Sequence, residues 1–158
     1  MKKLFLLFSS LFFIIFSSLA QTNYNIVTGL PLAEIATPGS GVTTLSAGDN
    51  TNHAITIGFN FTFYGTNYTS CTLNSNGRIV FGSSSLGESA QTLPITNGPN
   101  LIAFAWMDQN ANGSTVNYFV SGTAPNRVFV LNYKAVPSYS NTSNVTSLQL
   151  QLYEGSNG

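Results

Sequence analysis

Charge is scarce in this chain of 158 residues: only 6% are Asp, Glu, Lys or Arg, with five cations against five anions. Lys2 and Lys3 stand at the very start, so the remainder carries only Arg78, Arg127 and Lys134. A nucleic-acid face needs clustered Lys and Arg to neutralise phosphates, so no nucleic-acid partner is expected. The single cysteine, Cys71, excludes an intrachain disulfide. With one histidine, His53, beside it in the inventory, a nucleophilic triad has almost nothing to draw on. Neither a Gly-x-Ser-x-Gly elbow nor a phosphate loop is present. Low charge alone would suit a disordered chain, but an aromatic content of 13% and a mean hydropathy of +0.16 supply enough apolar surface for a folded core. The length suits one domain.

The first twenty residues differ from the rest. Met1-Lys2-Lys3 precedes an apolar run over 4–16, and small Ser18 and Ala20 stand where signal peptidase needs small side chains. Residues 1–20 are therefore expected to be a cleaved signal peptide, because the apolar run is shorter than the roughly 20 residues of a membrane span. Gln21, not Cys, follows, which excludes a lipoprotein anchor at that position. The expectation is a secreted or cell-surface product, residues 21–158, with no membrane span after cleavage.

Asn, Thr and Ser dominate that product, and turn formers recur too often for long helices. Over 54–63, Ile55, Ile57, Phe59, Phe61 and Phe63 alternate with Thr56, Gly58, Asn60 and Thr62, which specifies a strand buried on one face. Residues 68–73 and 78–81 flank Asn74-Ser75-Asn76-Gly77, whose Asn-Gly supplies the positive φ of a tight hairpin, with Cys71, Leu73, Ile79 and Phe81 facing inward. Residues 82–100 read as an irregular loop. The unbroken apolar run 101–107 reads as a strand covered on both faces, with Trp106 buried. Further strands are expected at 115–120, 127–136 and 145–154. The fold class is all-β, an antiparallel β-sandwich of short strands, and the lack of a returning strand after Glu154 suggests truncation at its C-terminal edge.

Four ordered blocks, Ile57-Gly-Phe-Asn-Phe-Thr-Phe-Tyr-Gly65, Leu73-Asn-Ser-Asn-Gly-Arg-Ile-Val-Phe-Gly82, the segment 101–108 and the segment 148–154, together resemble the nidogen-like (NIDO) extracellular domain. The likeness is greatest to the version near the N-terminus of Bacteroidetes secreted or surface proteins, where fibronectin-type repeats and a type IX sorting domain often follow. One block departs: the family pattern Ile-Ala-Pro-Phe-Trp-x-Asp is here Ile102-Ala-Phe-Ala-Trp-Met-Asp108. The resemblance implies a non-catalytic module of an adhesive or matrix-type protein, whose partner is an extracellular protein or a glycan. A carbohydrate-binding module accessory to an exported hydrolase is the alternative.

Few residues offer chemistry of their own. Asp108, Asn110 and Asn112, followed by Gly113, match the opening of a calcium loop, but its twelfth position is Phe119 rather than Glu. One carboxylate would then serve an ion that takes six to eight oxygens, so an Asx-rich turn is the plainer reading and no cofactor is expected, with Ca²⁺ the one candidate ion. The available carboxylates, Glu34, Asp49, Glu88, Asp108 and Glu154, lie far apart in sequence, and no catalytic residue is assigned. Cys71 alternates in phase with Leu73 and reads as a buried strand residue. Among the tyrosines, Tyr139, beside Pro137 in a loop, is the candidate for an exposed ligand-stacking face.

Overall fold

The computed structural model describes residues 33–82, 89–93, 95 and 98–155. Within them the chain forms eight strands: β1 (Thr43–Thr44), β2 (Asn52–Phe63), β3 (Thr66–Asn74), β4 (Arg78–Val80), β5 (Leu101–Ala103), β6 (Thr115–Ser121), β7 (Val128–Pro137) and β8 (Val145–Tyr153). They make two antiparallel four-stranded sheets, ordered β1-β6-β7-β8 and β2-β3-β4-β5. The architecture is the expected β-sandwich. The expected signal peptide and Glu88 lie outside the described residues.

β2 shows why the alternation works. Ile55, Ile57, Phe59, Phe61 and Phe63 are all buried, while the residues between them reach solvent or nearly so. Each such side chain gains roughly 1.5–3 kcal/mol on leaving water. They meet Cys71 and Leu73 of β3, Ile79 of β4, Val116 of β6 and Phe129, Leu131 and Tyr133 of β7. The chain reverses at Tyr64 and Gly65, both at positive φ (47° and 74°), the two-residue hairpin geometry that matches strand twist. Beyond it Phe81 gathers Phe63 and Tyr68, with ring centroids 5.0 and 4.9 Å away.

β7 contains the irregularity that matters most for the surface. Its register against β8 shifts between Tyr133 and Val136, where Ala135 sits at φ 53°. The extra residue changes the inward set from odd to even numbers, so Tyr133 and Val136 are both fully buried. Tyr139, which would have shared the inward phase of Leu131 and Tyr133, is turned outward instead.

Two expectations fail here. The run 101–107 is a strand only over Leu101–Ala103, and those three residues are half-buried rather than covered on both faces. From Phe104 the chain leaves the sheet and crosses the β3–β4 hairpin, because Gly77 O accepts the amides of Phe104 (3.1 Å) and Ala105 (2.9 Å). Trp106 is half-buried, not buried, and lies over the Arg78 guanidinium, 4.7 Å from ring centroid to Cζ. The hairpin turn itself, expected only as a tight turn, is buried throughout 74–76, and Arg78 is 1% exposed.

Candidate functional site

A cluster of buried polar residues, Asn74, Ser75, Asn76, Arg78 and Gln109, gathers at the turn between β3 and β4. Asn74 Oδ1 accepts Asn76 N (3.0 Å), and Asn76 Oδ1 accepts Gln109 N (3.1 Å). Gln109, 0% exposed, donates from Nε2 to Ala105 O (2.6 Å). The single hydroxyl hydrogen of Tyr133 is shared between Ser75 O at 2.5 Å and Gln109 Oε1 at 3.0 Å. Burial pushes that phenol well above its ordinary value. These groups answer one another, which is the condition for polar side chains to stay inside.

Gln109 carries this order outward. It forms a bridge with Ser138, while Asn110 N donates to Pro137 O (3.1 Å) and Tyr139 N to Asp108 O (3.0 Å). On its other side Asn110 bridges Asp49, and Ala111 N donates to Gly48 O (3.3 Å). Segment 108–112 thus behaves as a short extended piece between two neighbours. Gln109 and Ala111 point in, and Asp108, Asn110 and Asn112 point out.

The structure therefore joins two features that are separate in sequence, the Asp108 loop and Tyr139. Tyr139 is 56% exposed and Met107 42%. Asp108 and Asn112 are exposed, and Asn110 is half-buried with its Oδ1 accepting Asn112 N (3.0 Å) in an Asx turn. A cation at this loop would draw on the Asp108 carboxylate and the Asn110 and Asn112 side-chain oxygens. Among the described residues no group of three or more His, Cys, Asp or Glu is placed to hold a metal ion.

The remaining titratable groups are dispersed. Cys71 is buried and desolvation pushes its thiol up to about 12, far from a thiolate at neutral pH. His53 Nε2 lies 3.1 Å from Thr51 Oγ1. Glu34 pairs with Lys134, and Glu154 with Arg127 at 2.5 Å. Gln109 and Tyr133 had no sequence signal as supports of a surface, although the alternation of 109 and 111 within an Asn-rich loop is visible afterwards.

Comparison with known families decides the lineage of this arrangement. The family model described as NIDO related matches residues 23–158. The chain belongs to the NIDO-related family. The NIDO-related type points to an extracellular module and is in general a non-enzymatic one. No curated protein and no solved structure matches this NIDO-related chain.

Proposed function

We propose that this NIDO-related domain is a non-catalytic adhesion or structural module of a secreted or cell-surface protein, exported through a leader at residues 1–20. The partner is an extracellular protein, bound at the end that carries Met107, Asp108 and Tyr139. One observation supports the reading most: an exposed aromatic ring and an exposed thioether flank the Asp108 carboxylate on backbone that Gln109 ties to Asn76 and Ser138. A fixed platform loses little entropy on binding, and tyrosine is enriched among residues that dominate interface energies. No helix among the described residues is long and apolar enough to cross a membrane.

A glycan is the second reading, favoured by the side-chain amides of Asn110 and Asn112 on the outward side of the segment whose Asp108 carbonyl accepts Tyr139 N. Immobilised matrix proteins and a polysaccharide panel separate the two. Tyr139→Ala should weaken whichever interaction is found by about 30-fold, the size of an interface hot spot. Unchanged binding by a normally folded Tyr139→Ala protein would overturn the assignment of this surface.

A further inference from the structure

The other notable surface is the outer face of the β6-β7-β8 sheet. Cα register sets Asn117 opposite Asn132 and Asn132 opposite Gln149, so three side-chain amides form a row across the strands. An amide side chain carries an acceptor and two donors, the same groups as a peptide bond. Gln149 uses them to read one residue of the preceding segment: Oε1 accepts Ile35 N (2.8 Å) and Nε2 donates to Ile35 O (2.9 Å). Its second Nε2 hydrogen goes to Asn132 Oδ1 (2.8 Å). Asn132 Nδ2 in turn donates to Asn117 Oδ1 and to Thr37 Oγ1, both at 2.9 Å. Gln151 Nε2 donates to Ala33 O (3.2 Å), and Lys134 pairs with Glu34.

Residues 33–37 are thereby held as an extended strap, chiefly through side-chain amides of the sheet. The strap itself buries little, for only Ile35 is half-buried and the other four residues are exposed. It joins β1 through Pro38-Gly39-Ser40-Gly41, all exposed, and Gly39 and Gly41 face open space. A groove of about 330 Å³ remains between strap and sheet.

We infer that this face is a docking track for extended polypeptide, read through its backbone by Gln149, and that residues 33–37 are its resident occupant. The partner it fits is an extended segment with a carboxylate for Lys134, a residue with a free N–H next to it for Gln149, and a hydroxyl two residues further for Asn132. That is the pattern Glu-Ile-x-Thr, as at 34–37. Because the strap is tethered, its effective concentration is of the order of millimolar, which masks the track from a dilute competitor.

The full-length chain tests this. Ile35→Pro removes the N–H that Gln149 reads and should free the track. A labelled, acetylated and amidated peptide Ala-Glu-Ile-Ala-Thr-Pro should then bind at least about tenfold more tightly than to the wild-type chain. Adding Gln149→Ala should abolish the gain, and a peptide with Pro in place of Ile should bind neither protein. Circular dichroism and melting establish that each variant is folded. Should Ile35→Pro not fold, Glu34→Ala with Thr37→Ala loosens the strap at two side-chain contacts and should show a smaller gain. A folded, strap-loosened chain that binds the peptide no better than wild type, or binding indifferent to Gln149→Ala, would overturn the proposal.

Discussion

Tyr133 shows how much one hydroxyl can hold. Tyr133→Phe leaves Ser75 O and Gln109 Oε1 buried without their shared donor, so it should cost about 1–3 kcal/mol in urea denaturation, more than a neutral surface change. Its phenol is raised above 10.0 in the folded state, so the contribution is complete below that value and fades as pH rises through the folded one. Glu154 has the opposite sign. The Arg127 side chain, hydrogen-bonding at 2.8 and 2.5 Å, holds its carboxyl below the ordinary 4.5. Stabilisation is therefore present above that pH and is lost as pH falls through the folded value. Melting curves of Glu154→Gln should show a shallower decline below about pH 4.5 than the wild type, and an identical acid limb would contradict the pairing.

At the scale of elements, strands were readable and their irregularities were not. β2, β6, β7 and β8 fall within about two residues of their sequence-based ranges, because period-two alternation and burial on one face are the same fact. Phe61→Ala should accordingly cost about 3–5 kcal/mol and Thr62→Ala under about 1 kcal/mol in chemical denaturation. Equal losses would contradict the register of β2. The run 101–107 misled because apolar residues can be buried outside a sheet: Phe104 packs edge-on against Tyr133 at 5.3 Å and Trp106 over Arg78. Asn-Gly announced a turn at 76–77 but said nothing of what packs on it. Gly77, at φ 76°, would place a Cβ 2.2 Å from Ala105 O, whereas a Cβ at Gly65, at φ 74°, meets open space. Gly77→Ala should cost about 4 kcal/mol or more and Gly65→Ala only about 1–2 kcal/mol, compared by thermal melts.

For the whole molecule, fold class was legible from strand alternation and turn residues and family from four ordered blocks, while the candidate surface was legible only as fragments. Asp108 and Tyr139 stand out separately in sequence, but their union depends on the β7 irregularity at Ala135 and on Asn76 in a turn 33 residues upstream of Gln109. Such long-range hydrogen bonds leave no periodic trace. The buried 74–77 turn, Gln109 and Tyr133 fix the exposed segment of Met107, Asp108 and Tyr139. Residue-resolved hydrogen exchange of the native protein tests this directly, since amides that open only with the core exchange most slowly. The amides of Ser75, Gly77, Ala105 and Gln109 should be protected to the level of Leu131 in β7. Exchange of those four at the rate of exposed Ser140 would mean that the turn is uncovered in solution and that the surface above it has no fixed support.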